Sequence, residues 1–294
     1  MQWKPDWGLR FRMVVTMLLL FALTIVFGYV VVWYFGGGLL LFGLIVVGFQ
    51  FANFYFSDRI TLWSMGAHEV SESEAPDLHA MVSRLCQQAD LPKPTVAVAD
   101  SRVPNAFATG RSQNHAAVCV TSGLLNTLDD DELEGVLAHE LSHVKNRDMM
   151  VMTLASTIST LAFMVVRWGW LFGGGGRDRN QGGGAFIVAF VASIAVWLVS
   201  FVLIRTLSRY REFAADRGSA LITGRPAALA SALLKIDGRM DRVPQEDMRD
   251  NAGMNAFFII PLKGSGIMRL FATHPSTEAR VERLRDLERE LESA

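Results

Sequence analysis

Cysteine is nearly absent from this chain: Cys86 and Cys119 are its only two, and their spacing excludes a Cys-x-x-Cys motif. Reduced, buried thiols are therefore expected rather than a disulfide. The net charge of −1 creates no overall field that would attract nucleic acid, so no nucleic-acid partner is expected. The chain also lacks an internal repeat, a Walker motif and a dinucleotide fingerprint.

Charge is also missing from one long stretch of the chain. No charged residue occurs from Met13 to Ser57, and Gly36–Gly38 divides this run into halves that are each long enough to cross a bilayer core of about 30 Å. A cleaved signal peptide is the alternative for the first run, and it is disfavoured because the apolar core is too long and a second span follows directly. A second apolar pair lies further along the chain. We predict four transmembrane helices in two hairpins, at about 13–35, 39–56, 149–172 and 185–207.

Positive charge is distributed unevenly around these spans. The cytoplasmic side is indicated by the flanking residues Lys4, Arg10, Arg12, Arg59, Lys145, Arg147, Arg205, Arg209 and Arg211. The link within the first hairpin has no positive charge, and the second link has two arginines beside one aspartate. We therefore expect residues 1–12, 57–148 and 208–294 to be cytoplasmic, with the hairpins at 13–56 and 149–207.

The segment 57–148 has the pattern of an α+β unit. Apolar spacing predicts a helix from Pro76 to about residue 88, and short strands are predicted at 95–99, 106–109 and 116–121. Asp129 with Glu132 is a capping-box start for a further helix. Beyond the last span the helical pattern continues to residue 221, residues 227–236 form another helix, 239–253 is polar and loop-like, and Pro275 is suited to begin a final helix.

The helix that begins near Asp129 contains the sequence His139-Glu140-Leu141-Ser142-His143. Two histidines four residues apart lie on one helical face, and the glutamate between them is placed to act as a general base. A catalytic zinc requires three protein ligands and one open position for water. The motif therefore supplies two ligands and a base, although two histidines on a helix are more often structural when nothing else supports a metal site.

Glu212 and Asp216 are the best donors for a third ligand. They are one turn apart, so one carboxylate is able to bind metal while the other holds a ligand imidazole. His143 lies shortly before the third span and Glu212 shortly after the fourth, and an antiparallel hairpin brings these positions to a similar depth. The alternative is that both acids belong to a solvated face beside Arg209, Arg211 and Arg217.

Three segments together resemble the HtpX family of bacterial membrane-bound heat-shock zinc metalloproteases: His139–Asp148, Arg211–Asp216 and Thr273–Pro275. The resemblance covers nearly the whole chain. It implies a gluzincin-like cytoplasmic domain in the bacterial inner membrane, one Zn²⁺ held by His139, His143 and Glu212, and Glu140 as the base. It also implies a stress-response role in degrading misfolded or damaged membrane proteins, alongside other quality-control proteases, and the possibility of self-cleavage.

Further roles follow from the chemistry of such a site. We expect Asp216 to accept a hydrogen bond from a ligand histidine. His274 either stabilises the oxyanion or occupies an N-cap position before Pro275. The substrate backbone is expected to add to an edge strand formed by the six residues Asn105, Ala106, Phe107, Ala108, Thr109 and Gly110, unless this is an ordinary core strand.

The sequence leaves other functions open. A prenyl-protein-type processing peptidase is the alternative among enzymes, and a zinc-stabilised membrane scaffold is the alternative without catalysis. Glu140 argues against the scaffold, because a structural zinc site closes its fourth position and needs no base. A transporter is disfavoured, since the predicted spans hold almost no ionisable residue.

Overall fold

The computed structural model describes residues 7–35, 54–153, 182–240 and 274–293, together with positions 44, 47–48, 51–52, 155–156, 159–160 and 259. The chain divides into two compact units. The sheet unit contains Tyr55–Met150 and Ser208–Ala294, and the apolar unit contains Pro5–Phe54 and Val151–Leu207. All predicted site residues belong to the sheet unit.

The apolar unit contains helix α1, Trp7–Phe35, and part of a long helix that continues into the sheet unit. Leu20, Ala155 and Leu207 form a small buried cluster there. Among the described residues, the stretch Phe190–Thr223 is long and apolar enough to cross a membrane by length and composition. Most of the second and third predicted spans lie outside the described residues, so the arrangement of four spans stays a prediction.

The sheet unit is built on a four-stranded mixed sheet. The elements up to the last strand are α2 Ser57–Ser64, β1 Ala67–Glu69, α3 Pro76–Ala89, β2 Thr95–Ala99, β3 Ala106–Ser112 and β4 His115–Thr121. The strand order is β1-β2-β4-β3, in which β2 and β4 are parallel and the other pairs are antiparallel. Because β3 pairs only with β4, its other side is an open edge within the described part of the chain.

The helices that complete the sheet unit follow the last strand. They are α4 Ser122–Leu125, α5 Asp130–Lys145, α6 Gly182–Thr223, α7 Pro226–Met240 and α8 Thr277–Glu292. Helix α5 lies between β3 and α7, and its apolar residues Val136, Leu137 and Leu141 are fully buried in the main core. Burial of this face fixes the rotation of α5, and therefore the direction in which its histidines point.

A capping box sets the start of α5, and a glycine contact sets how closely α5 approaches α6. Asp129 accepts from the Glu132 backbone N–H, and the Glu132 side chain accepts in return from the N–H of Asp129, so the predicted capping box is present. A Cβ on Gly218 would lie 2.3 Å from the Ser142 Oγ, so α6 approaches α5 at a distance that only glycine permits. This close crossing brings the acidic residues of α6 to the histidines of α5.

The hairpin of β3 and β4 is longer than the sequence predicted. It continues to Ser112 and resumes at His115, with an irregularity in register near Gly110. Gly110 has a φ of +130°, and a Cβ there would meet the His115 carbonyl oxygen at 2.1 Å. Only glycine fits this position, which explains why the strand pattern broke there.

Other predictions of local structure need correction. The final helix begins at Thr277 rather than Pro275, because the Ser276 side chain accepts a hydrogen bond from the Ala279 backbone N–H and forms the N-cap. Strand β1 was not predicted, since three residues are too few to show the alternation of apolar and polar residues that indicates a strand. The predicted polar loop 239–253 begins inside α7, and its remainder from 241 lies outside the described residues.

The two cysteines lie in the sheet unit, and both are free and buried, as predicted. Burial raises the pKa of the Cys86 thiol to about 11 and that of the Cys119 thiol to about 12. Neither therefore provides a thiolate at neutral pH, and both serve as apolar core residues.

Candidate functional site

His139, His143 and Glu212 converge between α5 and α6. One ligand atom from each lies within 4.8 Å of the others. The two Nε2 atoms are 3.2 Å apart, the Nε2 of His139 is 3.5 Å from the Glu212 Oε2, and the Nε2 of His143 is 3.5 Å from the Glu212 Oε1. The structure thus brings all three sequence-predicted ligands together.

The distance between the two Nε2 atoms is close to that between two ligands of a tetrahedral metal ion, and the Glu212 carboxylate lies at a similar distance from each imidazole. Ligand atoms that surround zinc at 2.0–2.1 Å are about 3.3–3.4 Å from one another in a tetrahedron. Two imidazole nitrogens and a carboxylate oxygen are also the donor types that catalytic zinc uses. The Glu212 carboxylate is buried, and its Oε2 lies 3.5 Å from the Nε2 of His139 and 3.1 Å from the Nδ1 of His274.

Asp216 has a different place from Glu212, although both stand on α6. Its Oδ1 lies 3.0 Å from the Nδ1 of His139, on the side of the ring away from the other ligand atoms. Arg280 holds the same carboxylate through two hydrogen bonds, Nε to Oδ2 at 3.0 Å and Nη2 to Oδ1 at 2.6 Å. Burial would raise the pKa of Asp216, but Arg280 and His139 lower it below its usual value. The charged carboxylate is therefore suited to orient His139.

Replacing Asp216 with alanine is expected to weaken zinc binding by about 10–100-fold, because His139 loses the group that orients its ring. The dissociation constant is to be measured by competition with a chelating dye. Asp286→Ala is the matched control, since Asp286 is an exposed acid on α8 that pairs with Arg289 instead of a histidine. Unchanged zinc affinity in Asp216→Ala would rule out the orienting role.

The protonation of His139 competes with metal binding. Burial and the Arg280 cation oppose protonation, but Asp216 and Glu212 outweigh them and raise the pKa of His139 to about 9. The metal-free protein therefore carries a proton on His139 at neutral pH, and a metal must displace it.

Zinc affinity is consequently expected to increase about tenfold per pH unit between pH 6.5 and about 9, and to level off above that. The sign follows from the raised pKa, since raising the pH through 9 removes the competing proton. Titrations in free-zinc buffers at pH 6.5, 7.5, 8.5 and 9.5 measure the slope. An affinity that does not change with pH would contradict this protonation state.

Glu140 faces the open edge of the sheet from the same helix as the histidines. Its Oε2 accepts a hydrogen bond of 2.9 Å from the Ala108 backbone N–H on β3. Burial raises the pKa of Glu140, while His139 and His143 act in the opposite direction. A raised carboxylate pKa improves a general base that operates near neutral pH.

The predicted substrate strand lies at the open edge of the sheet, and its side chains differ in what they pack against. Ala106 and Ala108 pack toward α5, while Phe107 is buried in a cluster with Cys119 on the other face. Asn105 is fully buried, and its Oδ1 accepts from the backbone N–H of residue 259. The side chains of Asn105 and Phe107 therefore stabilise the fold. The backbone of β3 is the part of this strand that faces the site.

His274 lies beside the ligand carboxylate. Its Nδ1 is 3.1 Å from the Glu212 Oε2, and the side chain is 10% exposed. Burial would raise the pKa of Glu212, but His274 and His139 lower it well below its usual value. The capping alternative for His274 is wrong, because Ser276 provides the N-cap of α8.

Three residues of the site were not assigned a role from the sequence: Asp148, Arg211 and Arg280. Arg280 has a detectable signal, because it occupies a core-facing position one turn before Leu284 on α8 and is only 1% exposed. An arginine in an apolar stripe indicates a buried partner. Asp148 contacts both Arg211 and His143. Burial would raise the pKa of Asp148, but Arg211 and His143 lower it.

Comparisons with known proteins show what the chain is similar to. Residues 72–288 match Peptidase family M48. The chain is 57% identical to "Protease HtpX homolog 2" of Methanosarcina acetivorans over 99% of both chains. It is 56% identical to "Protease HtpX homolog" of Moorella thermoacetica over 99% of this chain and 98% of that one. A crystal structure of S. mikatae Ste24p aligns with a TM-score of 0.48 and 16% identity, covering 91% of this chain and 67% of that one.

Proposed function

Because the chain belongs to peptidase family M48 and is an HtpX-type metalloprotease, we propose that it is a membrane-bound zinc endopeptidase acting on misfolded or damaged membrane proteins at the cytoplasmic face. The observation that carries the proposal is the convergence of His139, His143 and Glu212, whose ligand atoms lie within 4.8 Å of one another, beside the buried Glu140. The zinc ligands and the base stay predictions until the metal is measured.

The residues of the site have distinct chemical roles in this proposal. Bound zinc would lower the pKa of a water molecule and polarise the scissile carbonyl. Glu140 accepts the proton from the attacking water and transfers it to the nitrogen of the leaving amine. Asp216, held by Arg280, keeps His139 oriented.

The open edge of β3 is proposed as the substrate-binding strand. The N–H and C=O of one strand residue point to the same side, so the Ala108 carbonyl faces the open edge along with the N–H that contacts Glu140. An extended substrate that pairs here would place its backbone beside the base.

His274 is proposed to donate a hydrogen bond to the oxyanion. Its position beside Glu212 supports this role, and its replacement by alanine is expected to lower kcat by about 10²–10³-fold. Thermal unfolding should change little, because His274 does not cap α8. His79→Ala is the control, since His79 bonds the Val70 carbonyl instead and lies outside the proposed metal centre. A normal kcat with a lowered melting temperature would show that His274 is structural.

Several features support a place in the membrane with the site in the cytoplasm. Large apolar side chains of the apolar unit are more than half exposed, as expected for lipid-facing residues: Trp7, Phe11, Leu18, Val191 and Val202. The positive charges that flank the predicted spans favour cytoplasmic termini. We therefore propose a multi-pass protein of the inner membrane with four spans.

The substrates and partners are proposed from the resemblance to HtpX. A cytoplasmic site on a membrane-bound chain suits the exposed loops and tails of damaged membrane proteins. It also suits a stress-response role alongside other quality-control proteases, with self-cleavage as a further reaction. Membership of a peptidase family argues against the non-catalytic scaffold.

The substrate class is testable in proteoliposomes. Purified protein would be incubated with one membrane protein in two forms, the native protein and a destabilised variant with the same cytoplasmic tail. Cleavage of the destabilised form alone is expected. Equal cleavage of both forms would contradict selection of damaged proteins. Cleavage of a prenylated peptide in preference to both would instead identify the prenyl-protein-type peptidase.

A further inference from the structure

His143 has a carboxylate partner of its own, which is separate from the Asp216 that contacts His139. The Nδ1 of His143 lies 2.6 Å from the Oδ2 of Asp148, a strong hydrogen bond. Asp148 is 2% exposed, so water does not compete for this contact. The bond engages Nδ1 and leaves Nε2 as the ring atom that faces Glu212.

An arginine fixes Asp148 from the other side. The Nε of Arg211 lies 2.9 Å from the Oδ1 of Asp148, and Arg211 itself is 8% exposed. A buried aspartate needs such a partner in order to remain charged. The arrangement repeats the one at the other histidine, where Arg280 holds Asp216 against His139.

The chain adopts an unusual backbone conformation to deliver Asp148. Helix α5 ends at Lys145, and Arg147 then has a φ of +55° in the left-handed region that residues other than glycine rarely adopt. After this reversal, Asp148 is the first residue of the next helical segment and faces back toward His143. The tight turn therefore places a carboxylate against a residue only five positions earlier.

From these contacts we propose that Asp148, held in place by Arg211, is the positioning residue for His143. Its negative charge fixes the tautomer of His143 with the proton on Nδ1, so that the Nε2 lone pair is directed at the metal. Each histidine ligand thus has its own Asp–Arg pair: Asp216 with Arg280 for His139, and Asp148 with Arg211 for His143. The inference rests on the proposed function, since a positioning role requires the zinc.

Asp148→Asn tests this role with little change in shape. The full-length chain in detergent would be compared as wild type, Asp148→Asn and Asp131→Asn. Asp131 is the matched control, because it also pairs with an arginine, Arg225, but this pair is exposed and contacts no histidine. The readouts are the zinc dissociation constant, the visible absorption spectrum of the Co²⁺-substituted protein and the melting temperature of the metal-free protein.

Zinc affinity is expected to fall about 10–100-fold in Asp148→Asn, with an altered Co²⁺ spectrum, while Asp131→Asn matches the wild type. Arg211→Gln should change both readouts in the same direction by a smaller factor, because Asp148 itself remains. Wild-type affinity and spectrum in Asp148→Asn would overturn the inference, even with a lowered melting temperature, since that result shows a purely structural pair. Failure of the wild type itself to bind zinc would refute the proposed function as well.

Discussion

Replacement of Glu140 by glutamine is expected to reduce peptide cleavage by about 10²–10⁴-fold while zinc remains bound. The amide retains the size of the carboxylate but is unable to accept a proton from water. The three ligand atoms belong to other residues, so the metal centre should persist. A large loss of activity with an intact metal centre would show that Glu140 acts as the base and is not a metal ligand.

The measurement compares kcat on an unfolded protein with zinc content for each variant. Glu134→Gln is the matched control, because Glu134 belongs to the same helix α5 but pairs with Arg84 at 3.0 Å instead of facing the site. The control should cleave like the wild type. Cleavage by Glu140→Gln at more than a tenth of the wild-type rate would contradict the role of Glu140 as general base.

The second large effect is expected at Glu212, where alanine should weaken zinc binding by more than about 100-fold and abolish cleavage. Glu212 supplies the oxygen that completes the set with His139 and His143, and its two oxygen atoms each lie 3.5 Å from one of the ligand nitrogens. Two histidines alone leave the metal with too few protein ligands for a catalytic zinc site.

Zinc affinity and cleavage should be lost together in this variant, unlike in Glu140→Gln. Glu290→Gln is the control, because Glu290 is an exposed acid that contacts Arg217 of α6 and no histidine. If the Glu212→Ala variant still binds one zinc per chain at wild-type affinity, another residue is the third ligand.

Most of the site residues predicted from the sequence lie on regular helices, where spacing along the chain sets which residues share a face. His139, Glu140 and His143 follow from helical spacing, and Asp129 with Glu132 fixed the start of α5 because a capping box is a local signal. Residue spacing also selected Glu212 and Asp216 as a pair. The assignment of Glu212 to the metal came from the resemblance to HtpX, because both carboxylates fit either role by spacing alone.

The parts that sequence reasoning missed depend on contacts between distant segments. Asp148 and Arg211 come into contact only after α5 and α6 have packed. The left-handed turn at Arg147 contains no glycine, so the sequence does not indicate it. Arg280 is 64 residues from Asp216, so no local pattern links them. Ser276 is the N-cap of α8, although the sequence predicted a start at Pro275. Serine is favoured at an N-cap and proline at the first helical position, so the sequence alone does not decide between the two starts.

The most direct test of the central claim is to remove and restore the metal of the purified wild-type protein. Zinc content and cleavage of casein would be measured before chelation, after chelation and after addition of one equivalent of Zn²⁺. We predict about one zinc per chain, no cleavage without it and recovery when it returns. Cleavage that continues after the zinc has been removed would contradict the account, and so would a zinc-loaded protein that cleaves no unfolded chain.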